Sequence, residues 1–122
     1  MSKNKILIVD DDKNTVSSLR RILRTKDGFE VDVAYDGFDA GRKLLEFRPD
    51  IVLLDIKMPN LDGYEVTRRI KQNPLTKNVK IIAISGFLHQ EGTEKIASLG
   101  VGAWLAKPFN PQALMDQINT LL

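Results

Sequence analysis

The chain has 122 residues, of which 43% are hydrophobic, and its 18 Lys and Arg residues nearly balance its 16 Asp and Glu residues. This length is typical of a single domain over residues 1–122, and a formal net charge of +2 is too small to indicate nucleic-acid binding. The lack of cysteine excludes disulfides and thiolate chemistry, and the longest apolar runs are too short for a membrane span or a signal peptide, so we expect a cytoplasmic protein.

Five short apolar runs, most of them rich in Val and Ile, predict β-strands. In chain order these runs are 6–9, 31–34, 51–54, 79–84 and 103–106. Three of them are nearly continuous rather than alternating with polar residues. That pattern is typical of strands that are covered on both faces in a parallel sheet.

Apolar residues at helical spacing predict a helix after each of the five strands. These residues are, in chain order, Val16, Leu19, Ile22 and Leu23; Ala40, Leu44 and Phe47; Val66 and Ile70; Ile96 and Leu99; and Leu114, Ile118 and Leu121. A glycine or a proline follows each of the first four predicted helices. Pro111 begins the fifth, directly after the candidate N-cap Asn110.

Five alternating strands and helices predict an α/β fold of the flavodoxin-like, doubly wound (βα)5 type. Right-handed crossovers then give a five-stranded parallel sheet of order 2-1-3-4-5 with helices on both faces. In this topology ligands bind beyond the carboxyl ends of the strands, where the strand order reverses between the first and third strands. The residues that directly follow the strands are therefore the candidates for function.

Acidic residues follow two of these strands. Asp10, Asp11 and Asp12 come after the first strand, and Asp55 comes after the third. The triplet by itself could equally be a solvated loop or a helix N-cap, but Asp55 ends an apolar run that should be buried. Carboxylates ~4 Å apart repel by about 4 kcal/mol per pair at an effective dielectric constant near 20. The cluster therefore predicts a hard divalent cation, Mg²⁺ in particular.

Ser85 follows the fourth strand and Lys107 follows the fifth. Each would be an ordinary turn or surface residue if it stood alone, but a parallel sheet brings both to the edge that carries the carboxylates. A nucleophilic Asp, a metal, a hydroxyl and an ammonium are the groups needed for phosphoryl transfer to a carboxylate. Gly86 would leave room for a phosphoryl group to approach the backbone.

At these positions the sequence resembles the receiver domain of two-component response regulators, and the resemblance covers the whole chain. The matching segments are 6–11, 53–59 followed by Asp62-Gly63, 84–86 and 106–109. The resemblance implies a flavodoxin-like fold and transfer of a phosphoryl group from a phosphohistidine to this chain. It also implies that the chain promotes only its own phosphorylation and dephosphorylation, so turnover of a separate substrate is not expected.

The resemblance implies a role for most of the acidic residues. Asp55 would be the phosphoacceptor. Asp10, Asp11, Asp55 and the backbone carbonyl of Lys57 would hold Mg²⁺, for which Mn²⁺ can substitute. Asp12 has no such role in the family.

Further roles fall on residues after the fourth and fifth strands. Ser85 would be the switch hydroxyl, and Lys107 would pair with the phosphoryl group, with a cis peptide bond before Pro108. Trp104 stands where the family usually has a Tyr, Phe or His that changes rotamer; the other interpretation is a strand residue packed on the last helix. Lys57 and Phe87, with Gly86, would tune the attack of water on the acyl phosphate, although Phe87 could equally be a surface aromatic in a loop.

The implied partners are a sensor histidine kinase or a histidine phosphotransfer protein, and an output domain or downstream protein. The output would be contacted through the face formed by the fourth predicted helix, the fifth predicted strand and the fifth predicted helix. We expect a monomer or a weak dimer linked to phosphorylation. The basic residues of the first and third helices are interpreted as solvated faces, so contact with nucleic acid or membrane is not expected.

Two other hypotheses remain open from the sequence. A haloacid-dehalogenase-like, Mg²⁺-dependent phosphatase would use Asp10 as its nucleophile and Asp12 two residues on. That family also needs a late acidic pair, whereas only Asp116 follows Lys107. A flavodoxin-like electron carrier is disfavoured because three aspartates would lie near the phosphate of a flavin.

Overall fold

The computed structural model describes residues 3–26, 28–58, 61–86, 94–95, 97–101 and 103–122. The strands are β1 Asn4–Val9, β2 Phe29–Ala34, β3 Ile51–Asp55, β4 Lys57–Met58, β5 Leu61–Asp62, β6 Lys80–Ser85 and β7 Ala103–Ala106. The helices are α1 Lys13–Arg24, α2 Gly37–Glu46, α3 Gly63–Gln72 and α4 Pro111–Leu121.

Five of the strands form one parallel sheet in the order β2-β1-β3-β6-β7. Counted along the chain, this is the predicted order 2-1-3-4-5, and the prediction is confirmed. The first strand lies between the second and the third, so the strand order reverses at β1 and β3. The carboxyl ends of these two strands meet because Val9 is paired with Leu54.

The helices cover both faces of the sheet, as predicted. On one face, Ile6 and Ile8 of β1 belong to the core cluster that also contains the buried side chains of α1 and α4. On the other face, Leu7 and Val9 belong to the cluster that contains those of α2 and α3. Among the described residues, no helix combines the length and the apolar run that crossing a bilayer requires.

A short antiparallel hairpin of β4 and β5 was not predicted. It pairs Lys57 with Asp62 and Met58 with Leu61. Two-residue strands contain too few residues to show the alternation from which longer strands are recognised. The hairpin lies between β3 and α3, so it belongs to the sheet edge that carries the acidic residues.

The fifth predicted helix lies wholly within the described residues, and the fourth only in part. The fifth is α4, and Asn110 caps it by accepting a hydrogen bond from the backbone N–H of Gln112 at 2.8 Å, as predicted. The fourth lies only partly within the described residues. There, residues 94–95 and 97–98 are helical, and Gly100 follows them with the positive φ of 89° that suits a glycine after a helix.

Candidate functional site

The two most buried carboxylates of the site lie at the reversal of the strand order. Asp10 directly follows β1 and is 2% exposed, and Asp55 is the last residue of β3 and is 6% exposed. Asp11 is the most exposed of the three. One carboxylate oxygen from each of these aspartates lies within 4.8 Å of the other two. The predicted convergence of the carboxylates at this edge is therefore present.

Lys107 joins the two buried carboxylates. Its Nζ lies 3.1 Å from Oδ2 of Asp10 and 3.0 Å from Oδ2 of Asp55. Its backbone N–H donates to the carbonyl of Ser85 at 2.9 Å, which holds the residue after β7 against the end of β6. The Lys107–Pro108 peptide bond is cis, in agreement with the resemblance. One ammonium therefore serves two carboxylates that are almost inaccessible to water.

The pKa of Asp10 is raised because burial disfavours its charged form. Repulsion from Asp55 raises it further, and a hydrogen bond from the backbone N–H of Asp12 together with the charge of Lys107 only partly opposes this. Burial alone would lower the pKa of Lys107, but hydrogen bonds and charge attraction from Asp55 and Asp10 outweigh it, so that pKa is raised. Lys107 therefore stays charged, but its single positive charge does not balance the two carboxylates that it contacts.

Ser85 ends β6, beside the strand that carries Asp55. It is 1% exposed and is paired with Ala106 of β7. Gly86 follows and is exposed, and a Cβ added to it would meet no atom of the described residues within 4 Å. Among the described residues, the backbone at Gly86 thus leaves room for a group that approaches from the solvent.

Asp12 is not part of the cluster, although it follows Asp10 and Asp11 in the sequence. Its side chain caps α1 by accepting hydrogen bonds from the backbone N–H of Asn14 at 2.9 Å and from Oγ1 of Thr15 at 3.0 Å. The hydrogen bond from Asn14 is the main reason that the pKa of Asp12 is lowered. The N-cap interpretation of the acidic triplet is therefore right for one of its three members. The same contacts use the second aspartate that the phosphatase hypothesis needs.

Gly63 is a residue whose importance the sequence reasoning missed. A Cβ at this position would lie 2.5 Å from Cα of Ile56 and 2.8 Å from its carbonyl oxygen. The backbone N–H of Gly63 also donates to that oxygen at 3.2 Å. Only a glycine lets the start of α3 lie this close to the residue after Asp55. The sequence feature that could have indicated this position is the Asp62-Gly63 pair, because Asp62 caps the helix that begins at Gly63.

The other candidate residues differ in what the structure says of them. Lys57 is the first residue of β4, two residues after Asp55. Trp104 is on β7, at the edge of the five-stranded sheet, and is 37% exposed. Phe87 lies outside the described residues. The predicted switching role of Trp104 and the predicted tuning roles of Lys57, Phe87 and Gly86 stay predictions.

The chemistry of the cluster suits a hard divalent cation. Its donors are carboxylate oxygens from Asp10, Asp11 and Asp55, which are the ligands that Mg²⁺ prefers over the nitrogen and sulfur donors of softer metals. The raised pKa of Asp10 agrees with this, because a second cation would offset both the cost of burying its charge and its repulsion from Asp55.

Comparisons with known proteins point to one family. The family model for the response regulator receiver domain matches residues 6–119. The transcriptional regulatory protein PrrA of Mycobacterium leprae is 37% identical over 100% of this chain and 51% of its own length. The response regulator ArlR of Staphylococcus saprophyticus is 35% identical over 97% of this chain and 52% of its own. The chain thus spans about half the length of the curated relatives that it matches.

Solved structures agree with the sequence comparisons. The signal receiver domain of a DNA-binding response regulator from Colwellia psychrerythraea superimposes with a TM-score of 0.92, at 35% identity over 98% of both chains. The chemotaxis response regulator CheY4 of Vibrio cholerae gives 0.89, at 28% identity over 99% of this chain and 100% of its own. These similarities do not support the phosphatase hypothesis.

Proposed function

The chain belongs to the response regulator receiver domain family, the signalling module of two-component systems, and on that premise we propose that Asp55 accepts a phosphoryl group from a phosphohistidine. The observation that carries the proposal is the position of Asp55. It is buried at the strand-order reversal, among carboxylate oxygens that suit Mg²⁺, and 3.0 Å from the ammonium of Lys107.

In the proposed reaction a carboxylate oxygen of Asp55 attacks the phosphorus of the donor. The new P–O bond forms as the P–N bond to the donor histidine breaks, and the electron pair leaves with the imidazole nitrogen. Asp10, Asp11, Asp55 and the backbone carbonyl of Lys57 are proposed to hold Mg²⁺, or Mn²⁺ in its place. When bound, the metal would supply positive charge near the phosphoryl oxygens.

Lys107 and Ser85 are proposed to respond to the new charge. Phosphorylation replaces one negative charge on Asp55 by about two and adds acceptor oxygens. The ammonium of Lys107 already contacts both Asp10 and Asp55, so stronger attraction at Asp55 draws it away from Asp10. The hydroxyl of Ser85, at the end of the neighbouring strand, is proposed to donate to a phosphoryl oxygen, which couples the end of β6 to the state of the site.

The proposed context is a signalling pathway in the cytoplasm. The input is a sensor histidine kinase or a histidine phosphotransfer protein. The relatives that are about twice as long as this chain support an output domain or a downstream protein as the recipient of the signal. We propose that residues 1–122 form the single receiver domain, and that its output face comprises the segment before Gly100 together with β7 and α4.

The decisive test is phosphorylation by phosphoramidate in the presence of Mg²⁺, followed by intact-mass measurement. We expect the wild-type protein to gain the mass of one phosphoryl group and Asp55→Asn to gain none. Asp12→Asn is the matched control, because Asp12 caps α1 rather than facing the site, and it should gain the group as the wild type does. Phosphorylation that persists in Asp55→Asn but disappears in Asp10→Asn would overturn the assignment in favour of the phosphatase hypothesis, whose nucleophile is Asp10.

Trp104 allows a second test, because it is the only tryptophan in the chain and is 37% exposed. If its ring responds to the phosphoryl group, its fluorescence should change on addition of Mg²⁺ and phosphoramidate in the wild type but not in Asp55→Asn. Unchanged emission from protein that mass measurement shows to be phosphorylated would remove Trp104 from the switch.

A further inference from the structure

Lys95 and Tyr64 form a contact that the proposed function does not use. Nζ of Lys95 lies 4.2 Å from the centroid of the Tyr64 ring. This is well inside the range of ~6 Å over which a cation is attracted to the face of an aromatic ring. Lys95 is exposed and belongs to the fourth predicted helix, whereas Tyr64 lies in the first turn of α3. The contact therefore joins two helices that are separate in the chain.

The tyrosine end of this contact is fixed to the strand that ends in Asp55. Tyr64 follows Gly63, whose backbone N–H donates to the carbonyl of Ile56 at 3.2 Å. The backbone N–H of Tyr64 donates to Oδ1 of Asp62 at 2.9 Å, and its ring packs against the core cluster that contains the buried side chains of α2 and α3. The ring of Tyr64 is therefore held in place relative to the end of β3.

The lysine end of the contact belongs to a different connection of the sheet. The fourth predicted helix lies in the chain between β6 and β7. Ser85 ends β6 and Lys107 directly follows β7, so this connection is flanked by the two residues proposed above to respond to a phosphoryl group. The contact of Lys95 with Tyr64 thus joins the connection that carries the responding groups to the connection that begins at Asp55.

The geometry of the contact suits one state of the site. While Asp55 is a free carboxylate, its Oδ2 lies 3.0 Å from Nζ of Lys107 and Lys95 lies over the ring of Tyr64. The attraction falls as the cation leaves the face of the ring, and a displacement of ~2 Å would take Lys95 to the limit of its range. A small shift of the connection between β6 and β7 relative to β3 is therefore enough to break the contact.

We propose that Lys95 and Tyr64 form a latch that holds the fourth predicted helix against α3 while Asp55 is unphosphorylated and that opens when Asp55 carries a phosphoryl group. The latch rests on the proposed function, because the movement of Ser85 and Lys107 toward the phosphoryl group is what displaces the connection between β6 and β7. A contact made in only one of two states opposes the other state by the same free energy. The latch therefore lowers the affinity of the site for a phosphoryl group.

The first test measures the binding of beryllofluoride, a stable mimic of the phosphoryl group, in the presence of Mg²⁺ by isothermal titration calorimetry. The wild type should bind it and Asp55→Asn should not. Lys95→Gln and Tyr64→Leu each remove the latch, so each should bind beryllofluoride about two- to fivefold more tightly than the wild type, as expected for an exposed cation–π pair. Loss of a nearby positive charge by itself would act in the opposite direction and weaken the binding of an anion.

Three variants are matched controls for the first test. Lys95→Arg keeps the cation and Tyr64→Phe keeps the ring, so both should bind beryllofluoride as the wild type does. Lys77→Gln removes the same charge from an exposed position between α3 and β6, and it should leave the affinity unchanged. These controls separate loss of the latch from a general effect of charge and from a packing defect.

A double-mutant cycle of Lys95→Gln and Tyr64→Leu tests whether the contact depends on the state of the site. In urea without beryllofluoride, the two substitutions should be coupled, and the coupling should change the equilibrium constant of unfolding about two- to fivefold. With saturating beryllofluoride and Mg²⁺, the coupling should vanish. A contact with a merely structural role would show the same coupling in both conditions.

Two results would overturn the latch. One is an affinity for beryllofluoride in Lys95→Gln and Tyr64→Leu that is no higher than in the wild type. The other is a coupling between the two residues that is unchanged when beryllofluoride is bound. Failure of the proposed function would look different, because beryllofluoride would then fail to bind the wild type or would bind Asp55→Asn equally well. That result would remove the basis of the latch together with the proposed function.

Discussion

Lys107 contacts two buried carboxylates at once, and the balance of charge around it explains the properties of the site. Two carboxylates share one ammonium, and the carboxylate of Asp11 lies close by, so the site has more negative than positive charge. The burial of Asp10 and the nearby charge of Asp55 together raise the pKa of Asp10. The mutual repulsion of these carboxylates costs stability in the metal-free protein, and such a cluster suits a hard cation.

At neutral pH, the raised pKa of Asp10 lowers the stability of the fold, whereas the raised pKa of Lys107 increases it. The pKa of Asp10 is above its ordinary value of 3.8, so the folded protein binds this proton more tightly than the unfolded chain does. The free energy of unfolding therefore falls as pH rises from 3.8 through the raised pKa. Lys107 behaves differently. Its contribution is complete below its ordinary value of 10.5 and is lost only as pH rises through its own raised pKa.

Asp10→Asn should accordingly stabilise the metal-free protein at neutral pH. The amide has nearly the same shape, and its oxygen can still accept from the N–H of Asp12. Its NH2 group takes the place of Oδ2 and can no longer accept from Lys107, but it brings no charge into the interior. We expect the free energy of unfolding in urea to rise by about 0.5–2 kcal/mol. Phosphorylation that depends on Mg²⁺ should become slower at the same time.

Asp11→Asn is the control for this prediction. Asp11 is the most exposed aspartate of the cluster, so its neutralisation should change stability less than that of Asp10. A lower stability of Asp10→Asn at neutral pH would mean that the attraction between Asp10 and Lys107 outweighs the cost of burial.

At the scale of secondary structure, the junction between β3 and α3 holds Asp55 in place. The chain passes from β3 through the β4–β5 hairpin and returns at Gly63 to contact the backbone of Ile56. Asp62 begins α3 by accepting from the backbone N–H groups of Tyr64 and Glu65. The first residue of this helix thus lies against Ile56, the residue that directly follows Asp55.

Gly63→Ala should therefore damage both the fold and the site. Its methyl group would lie 2.5 Å from a backbone atom, so the backbone must move. We expect a loss of about 1–3 kcal/mol in the free energy of unfolding and slower phosphorylation of Asp55.

Gly41→Ala is the matched control, since it makes the same change in α2, where no atom of the described part of the chain lies within 4 Å of the added methyl group. This control should stabilise the fold by about 0.5–1 kcal/mol through helix propensity, with an unchanged rate of phosphorylation. Equal effects of the two substitutions would show that the close approach at Gly63 does not constrain the site.

At the scale of the whole molecule, the formal net charge of +2 conceals a separation of charge. Carboxylates concentrate at one edge of the sheet, whereas Arg42, Arg68 and Arg69 lie on the outer helices and are paired there with acids of their own helix. The acidic edge is therefore far more negative than the total implies, and it should select cations although the protein as a whole is weakly basic.

Mg²⁺ should stabilise the folded protein as a whole, because the unfolded chain has no such cluster. At a Mg²⁺ concentration about 100 times the dissociation constant, the expected gain in the free energy of unfolding is about 2.7 kcal/mol. Urea titrations at several Mg²⁺ concentrations would measure it. Asp11→Asn should lose most of this gain, whereas Asp12→Asn should keep it because Asp12 caps α1. An equal gain in Asp11→Asn and in the wild type would exclude Asp11 as a ligand.

The sequence by itself determined the fold class, the strand order and the edge of the sheet that carries the candidate site. These features follow from local periodicity and from the rules of parallel sheets, because alternation and helical spacing are visible within single segments. Asp10, Asp55, Ser85 and Lys107 were found in this way, since each directly follows or ends an apolar run.

Only the tertiary structure decided which of these groups touch. It separated Asp12, which caps α1, from Asp10 and Asp11, and it placed Lys107 between two carboxylates. It also revealed the close approach at Gly63. The physical reason is that the contacts of Lys107 join residues far apart in the chain, whose distances depend on how the strands pair. The contacts of Asp12 and Gly63 are closer in sequence, but they depend on the exact path of the backbone, which periodicity does not specify.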